Sequence, residues 1–281
     1  MEEGIRQNNN LINLSVRDLS DYLYCERKAY LKKILGLKEQ IGPYVIKGRI
    51  KHEILDEFSK IEQNIVSSIT YQLSYEELGN LYMIALKQIT SMAFERNLSS
   101  AESFKLEEEE FWEGLWKELQ KDIQLRVKAI SLLLKKDIFG LELWEKLEPK
   151  YLTEYKIISP RLGLTGKIDR LMISEQDGKK VYIPFEVKSG SAIKPYESDL
   201  IQLSSYALLI EDKFNYPASK GFMEYKDRRI EIEITREMKQ QALDIIQNIR
   251  NFPNLEKMPK IIENFKKCLK CGLREQCYEI G

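Results

Sequence analysis

The sequence has little histidine and cysteine and lacks any long apolar segment. Among 281 residues there are one histidine and four cysteines, and 44 basic residues balance 44 acidic ones. Four cysteines do not make a disulfide-stapled scaffold, and no run approaches the roughly 20 apolar residues that cross a bilayer. A net charge of zero says nothing about nucleic acid, because a neutral chain can still carry a basic groove. The polar first ten residues lack a signal peptide's apolar centre, so we expect a cytoplasmic protein with no membrane partner.

The four cysteines are unevenly distributed along the chain. Cys25 stands alone near the start, whereas Cys268, Cys271 and Cys277 form a Cys-x2-Cys-x5-Cys motif at the end. In a reducing compartment this spacing is typical of a metal site, and thiolates suit zinc or an iron–sulfur cluster. A centre that used all four would tie the two ends of the chain together. A thiol redox protein fits poorly, because redox Cys-x2-Cys motifs usually open a helix that follows a strand.

The apolar pattern changes near residue 150. Before it, apolar residues recur at the three- and four-residue spacing of helices, and after it several segments alternate as strands do. Turn signals at Pro160 to Gly163 and at Asp177-Gly178 separate the first three predicted strands. The sequence therefore predicts a mixed α/β core with a helical lobe attached. Predicted helices cover 15–35, a segment from about 47, 74–96, 106–134, 197–212 and 236–251, and predicted strands cover 151–158, 165–173, 180–188, 220–225 and 229–235.

Two acidic residues and a lysine fall on neighbouring predicted strands. Asp169 closes a Gly-x-x-Asp motif that begins at Gly166, and Glu186-x-Lys188 lies on the hairpin partner. Glu186 and Lys188 are two residues apart, so they share one face of the strand, and Asp169 can come alongside Glu186. Paired carboxylates form a hard oxygen site for Mg²⁺ or Mn²⁺, and a lysine beside them can stabilise negative charge on a phosphate.

Two further features can belong to the same site. Gln202 and Tyr206 are four apart on the next predicted helix, so they share a face that could bind phosphate or hold the lysine. Alone, this pair would more simply be a surface residue and a tyrosine at the edge of the core. His52, the one histidine, lies near the start of a predicted helix, where it is either structural or a nitrogen ligand to the same metal.

Together these motifs resemble the RecB-like branch of the PD-(D/E)xK nuclease superfamily. The helix histidine, Gly-x-x-Asp, Glu-x-Lys and Gln-x-x-x-Tyr occur in the family's order, and the cysteines narrow the resemblance to its iron–sulfur members. The pattern is most similar to the CRISPR-associated exonuclease family that works in spacer acquisition. The likeness covers residues 15–60 and 150–281. Glu26 stands where relatives often have a proline after the first cysteine.

The resemblance implies a restriction-endonuclease-like sheet core flanked by helices and four segments along the chain. The expected segments are 1–62 with the N-terminal helices, 63–150 as a helical insertion or lobe, 151–260 as the nuclease core, and 261–281 as the iron–sulfur segment.

The resemblance also implies a role for each motif residue. One Mn²⁺ or Mg²⁺ would be held at the acidic site, one [4Fe–4S] cluster would bind the cysteines, and Lys188 would assist the attacking water. The implied metal ligands are His52, Asp169, Glu186 and the carbonyl of Val187; the implied catalytic set is Asp169, Glu186, Lys188, Gln202 and Tyr206; the implied cluster ligands are Cys25, Cys268, Cys271 and Cys277.

By the same resemblance, the expected activity is hydrolysis of DNA phosphodiesters. The substrate would be single-stranded ends or overhangs, trimmed before integration in CRISPR adaptation, with endonuclease action also conceivable. Expected partners are DNA and CRISPR integrase subunits, and a homo-oligomer is compatible with the sequence. Two alternatives remain open: a repair nuclease of the same superfamily that works with a separate helicase, and a non-catalytic subunit that binds DNA ends and carries zinc.

Overall fold

A computed structural model describes residues 13–40, 42–188, 194–225, 228–262 and 264–280. These residues form a six-stranded mixed sheet flanked by helices, together with a separate helical lobe. This architecture confirms the predicted α/β class.

The strands are β1 (Leu14–Ser15), β2 (Lys150–Ser159), β3 (Leu164–Gln176), β4 (Lys179–Val187), β5 (Lys220–Glu224) and β6 (Arg229–Glu233). The helices are α1 (Val16–Tyr24), α2 (Glu26–Lys33), α3 (Pro43–Ser67), α4 (Tyr75–Arg96), α5 (Leu98–Ser103), α6 (Glu108–Leu134), α7 (Gly140–Lys146), α8 (Glu197–Phe214), α9 (Arg236–Arg250), α10 (Phe265–Leu269) and α11 (Arg274–Glu279).

Strand β3 is the centre of the sheet. It pairs antiparallel with β2 and with β4, and its first residues pair parallel with β1. Beyond β4 the order continues through β5, which is parallel to β4, to β6. The predicted hairpin between β3 and β4 is confirmed: Asp177 and Gly178 have φ values of +52° and +71°, the left-handed geometry of a tight two-residue turn.

The first core lies between the sheet and helices α1, α8 and α9. Helix α8 is buried along most of its length, including Leu203, Ala207 and Leu209. It packs closely on β3 because position 166 is glycine: a Cβ there would lie 2.7 Å from Leu209 Cδ1 and 3.2 Å from Val16 Cγ2. The close approach brings the residues of α8 next to the end of the Gly-x-x-Asp motif.

The second core belongs to the helical lobe. Helices α3, α4, α6 and α7 bury apolar side chains against one another, with Tyr82 and Ile130 among the fully buried ones. Helix α3 runs through the expected segment boundary between residues 62 and 63, and its Ile50 and Ile54 belong to this core. The same helix also contacts β2, where Ser59 Oγ lies 2.6 Å from Thr153 Oγ1. The division into four segments stays a prediction.

One predicted element is wrong in detail. The continuous helix expected over 15–35 is two helices, because Cys25 between α1 and α2 has extended backbone angles of −166° and 117°. Ser15 caps α1 with its side chain, as the sequence predicts. Contacts to the C-terminal tail hold the break open: the Tyr24 hydroxyl donates to the Lys267 carbonyl at 2.5 Å, and Arg27 Nη1 donates to the Pro259 carbonyl at 2.9 Å.

Among the described helices, none combines the length and the apolar character needed to cross a bilayer.

Candidate active site and metal centre

The sheet register brings the predicted acidic residues together. Arg170 on β3 pairs with Phe185 on β4, so the preceding Asp169 lies opposite Glu186. The backbone N–H of Val187 donates to Asp169 Oδ2 at 2.7 Å and fixes the carboxylate in the gap between the strands. Lys188 follows the last residue of β4, and its backbone N–H donates to the Glu224 carbonyl at 2.8 Å. The structure therefore ties Val187 to the site through its N–H, while its carbonyl as a metal ligand stays a prediction.

His52 reaches this point from α3. Its Nδ1 atom lies 2.8 Å from Glu154 Oε1 and 3.6 Å from Asp169 Oδ1. Ligand atoms of His52, Glu154 and Asp169 all lie within 4.8 Å of one another, the one such group of three among the described residues. Glu186 lies outside this tight group but lines the same groove. An imidazole and carboxylates are ligands that Mn²⁺ and Mg²⁺ accept, so the set fits a divalent ion.

Sequence reasoning missed Glu154. It lies on β2 between Thr153 and Tyr155, across from Asp169, with a φ of +50° that interrupts the regular strand. Glu154 also forms an ion pair with Lys167. Two signals could have found it: Glu154 is the one acidic residue in the predicted strand 151–158, and the turn at 160–163 sets the register against β3.

The charges at this point are strongly coupled. Burial, followed by the neighbouring charge of Glu186, raises the pKa of Asp169 to about 7. Burial alone would lower the pKa of His52, but its hydrogen bond to Glu154 and the charge of Asp169 outweigh burial and raise it. Burial opposes ionisation of Glu154 as well, yet contacts with His52 and Lys167 hold its pKa below the usual value. Carboxylates confined this closely repel each other, and a bound cation would relieve that repulsion.

Glu186 has an unmatched oxygen. Its side chain is 4% exposed, and Oε1 accepts a hydrogen bond from Lys188 Nζ at 2.7 Å. The other oxygen, Oε2, is buried without a hydrogen-bond partner among the described residues. A buried carboxylate oxygen without a partner is costly, and metal coordination is one of the few ways to satisfy it. Tyr206 also interacts with the Glu186 carboxylate through its side chain, so a metal and the phenol are both candidate partners for that carboxylate.

Lys188 is held by three groups. Its Nζ lies 2.7 Å from Glu186 Oε1, 2.6 Å from Gln202 Oε1 and 3.2 Å from Asp199 Oδ1. Burial opposes its charge, but Glu186 and Asp199 outweigh burial and raise the pKa of Lys188, so the lysine is protonated at neutral pH. Sequence reasoning missed Asp199 because an acidic residue in the first turn of a helix is ordinarily explained by the helix dipole.

Tyr206 takes a different position from that of Gln202. Its hydroxyl donates to the Lys167 carbonyl at 2.9 Å, on the strand that carries Asp169. Burial and the charge of Glu186 raise the pKa of Tyr206 well above its usual value, so the phenol stays neutral. Gln202 therefore contacts the lysine directly, whereas Tyr206 supports β3 beneath the acidic residues.

An open groove of about 870 Å³ leads to these residues. His52, Asp169, Glu186, Gln202 and Tyr206 line it, and Arg17, Arg49 and Lys156 lie exposed along its walls. No ion pair of these three basic residues is recorded in the described part of the chain, in contrast to Lys167, which pairs with Glu154. Basic side chains without ion-pair partners beside an acidic cluster suit a phosphate backbone that passes over a metal.

The cysteines also converge. Cys25, Cys268, Cys271 and Cys277 line one cavity, and none of the four forms a disulfide. Arg27 Nε donates to Cys277 Sγ at 3.2 Å. Burial raises the pKa of Cys25 and of Cys271. The set of four sulfur ligands fits a thiolate-bound metal centre.

A mixed sheet with carboxylates and a lysine at adjoining strand ends is consistent with a restriction-endonuclease-like fold. Residues 13–278 match the PD-(D/E)XK nuclease superfamily, and the chain belongs to that family. Its members use divalent metals, which agrees with the acidic site found here.

Individual proteins that are similar to the chain include a curated relative and a solved structure. It is 30% identical over 151 residues to a CRISPR-associated exonuclease Cas4/endonuclease Cas1 fusion from Leptospira interrogans serogroup Icterohaemorrhagiae serovar Lai (strain 56601). The match covers 49% of this chain and 27% of that protein, so the chain spans about a quarter of the relative's length. The crystal structure of SSO0001 is similar at 22% identity and a TM-score of 0.30, over 56% of this chain and 75% of that chain. A similarity that low establishes nothing further.

Proposed function

We propose that the chain is a metal-dependent DNA nuclease that trims single-stranded ends, and that it does so in CRISPR adaptation before prespacer integration. The observation that carries the nuclease proposal is the convergence of His52, Asp169 and Glu186 at the floor of a groove with unpaired basic walls. Membership in the superfamily supports the reaction class. The named activity of the fusion relative supports the CRISPR role and CRISPR integrase subunits as partners.

The proposed metal ligands are His52, Asp169 and Glu186, with the Val187 carbonyl. Glu154 orients His52 through the 2.8 Å contact to Nδ1. A divalent ion held there would polarise the phosphate and lower the pKa of a bound water. Hydrolysis forms a bond from the water oxygen to phosphorus and breaks the bond from phosphorus to the leaving oxygen, and one proton of the water passes through solvent to that leaving oxygen. The groove holds the phosphodiester in line for that displacement through Arg17, Arg49 and Lys156.

Lys188 acts in this proposal as a fixed positive charge. The contacts with Glu186, Gln202 and Asp199 keep it protonated and aimed at the acidic site. In that state it assists the attacking water by stabilising the negative charge that develops on the phosphate oxygens, and it does not remove the proton itself. Gln202 positions the ammonium group, and Tyr206 holds the strand that carries Asp169.

The four cysteines are proposed to hold a [4Fe–4S] cluster. The cluster would join the break between α1 and α2 to the tail formed by α10 and α11, which already meet through Tyr24 and Arg27. Its proposed role is structural, because it would link residues from the two ends of the chain.

The experiment is anaerobic purification followed by cleavage of end-labelled single-stranded DNA with Mn²⁺. Wild type is compared with Asp169→Ala and with a matched control, Glu175→Ala, which removes an exposed carboxylate from the same strand. We expect cleavage by wild type and Glu175→Ala and a loss of at least about 100-fold in Asp169→Ala, as for removal of a principal charge-stabilising group. Wild-type activity in Asp169→Ala would refute the site. Co-purification with integrase subunits tests the CRISPR role, and co-purification with a helicase would replace it by repair.

A further inference from the structure

A second cavity lies between the helical lobe and the sheet. Helices α3, α4 and α6 form one side, and strands β2, β3 and β4 form much of the other. Its volume is about 130 Å³, close to the roughly 150 Å³ of a protein cavity that admits benzene. It shares His52 and Asp169 with the open groove, so the candidate metal site forms the partition between the two spaces.

The two spaces differ in charge. The groove has unpaired basic residues, whereas the basic residues of the cavity are neutralised by acidic partners. Lys51 lies 2.5 Å from Glu118, Arg126 lies 2.7 Å from Glu62, and Arg170 lies 3.3 Å from Asp122. A phosphate is therefore attracted more strongly to the groove than to the cavity, and the cavity is better suited to an uncharged group.

The walls of the cavity suit a flat ring. Leu55, Phe58 and Leu119 supply apolar surface, and the Tyr151 ring lies on the sheet side. Arg170 also lines the cavity, and its guanidinium carbon lies 5.2 Å from the centroid of the Tyr151 ring, so a planar cation and an aromatic ring meet on the same wall. Nucleobases stack on both kinds of group.

We propose that this cavity binds the nucleobase of the nucleotide next to the scissile phosphate. The inference rests on the proposed nuclease function and adds to it. With the phosphate at the partition, the backbone follows the basic groove and one base turns away from it into the cavity, where it packs against Phe58. A base in this position cannot be paired or stacked on its neighbours, so the inference predicts a preference for single strands.

The test uses a single-stranded oligonucleotide with one abasic residue, and cleavage is measured at each phosphate. Wild type should cleave next to the abasic residue at least about 5-fold more slowly than next to a base, because stacking on an aromatic side chain stabilises a bound base by at least that factor. Phe58→Ala should remove the difference. Phe111→Ala is the matched control, because Phe111 is a partly buried aromatic of the same lobe core that does not line the cavity; it should keep the difference.

A second variant guards against misfolding of the first. Leu119→Phe narrows the cavity without removing aromatic surface, so it should lower the ratio of the cleavage rate next to purines to the cleavage rate next to the abasic residue. Equal rates at abasic and normal positions in wild type would overturn the base-binding inference while leaving the nuclease proposal standing. Loss of the difference in Phe111→Ala would overturn it too, as a general effect of lobe packing. Absence of cleavage in wild type at every position would overturn both.

Discussion

Glu154 offers a direct test of how the metal site is built, because it was invisible to motif analysis and central in the structure. Its Oε1 lies 2.8 Å from His52 Nδ1, and its other oxygen pairs with Lys167. Contacts with His52 and Lys167 hold the pKa of Glu154 low despite burial, so the side chain is a carboxylate at neutral pH. We therefore treat Glu154 as the group that holds the His52 ring in place and adds negative charge beside the ion.

The perturbation is Glu154→Gln, which keeps an acceptor for the imidazole and removes the charge, alongside Glu154→Ala, which removes both. Loss of a group that orients a metal-bound histidine weakens metal binding by about 10- to 100-fold, or about 1.4 to 2.7 kcal/mol. Glu154→Gln should fall at the lower end of this range and Glu154→Ala at the upper end. A loss much beyond 100-fold would mean that Glu154 itself ligates the ion.

The assay is calorimetric titration of the apo protein with Mn²⁺. Glu175→Gln, on the exposed part of β3, controls for the loss of one negative charge anywhere on the sheet. If Glu154→Gln and Glu154→Ala both bind Mn²⁺ as tightly as Glu175→Gln does, the contact with His52 has no part in metal binding and the proposed arrangement is wrong.

Four further outcomes are expected. Gln202→Ala should lower kcat by about 10-fold with little change in Mn²⁺ affinity, measured by steady-state cleavage and by titration, because it frees Lys188 without touching the carboxylates. Cys25→Ser should abolish the visible iron–sulfur absorbance of the anaerobic protein and also lower its melting temperature. If the variant keeps both the absorbance and the melting temperature of wild type, the cluster proposal is wrong. Tyr82→Phe should cost about 1.5 to 3 kcal/mol in urea unfolding, because the buried hydroxyl donates to the Glu62 carboxylate at 2.8 Å, whereas Tyr75→Phe at the surface should cost under about 0.5 kcal/mol. Burial opposes ionisation of Glu39, but contacts with Lys32 and Lys28 outweigh it and lower the pKa of Glu39. The ionised side chain therefore stabilises the fold above about pH 4.5, and this contribution is lost as the pH falls. Glu39→Gln should make the free energy of unfolding less dependent on pH between about pH 5 and pH 3.

The strands around the site were predictable because the physical signals there are local. Alternating apolar residues, the Asp177-Gly178 turn and the two-residue spacing of Glu186 and Lys188 each determine structure over a few positions. Once β3 and β4 pair through that turn, the meeting of Asp169 and Glu186 follows from the register. The predicted α/β class is confirmed for the same reason.

Other parts of the site depend on contacts between distant segments. Glu154 joins His52 only because β2 and α3 pack together across 102 positions of sequence. The break at Cys25 is held by Lys267 and Pro259, more than 230 positions away. Local propensity favours a continuous helix there, and tertiary contacts override it. Asp199 had a sufficient local explanation in the helix dipole, so its contact with Lys188 went unpredicted.

Helix α3 connects the core of the helical lobe to the candidate metal site. Ile50 and Ile54 pack in the core of the lobe, while His52, on another side of the same helix, lies next to Asp169 in the sheet. Because one helix carries both sets of side chains, the packing of the lobe determines where the imidazole lies relative to the Asp169 carboxylate. A change in that packing would therefore alter the geometry of the candidate metal site from outside the groove.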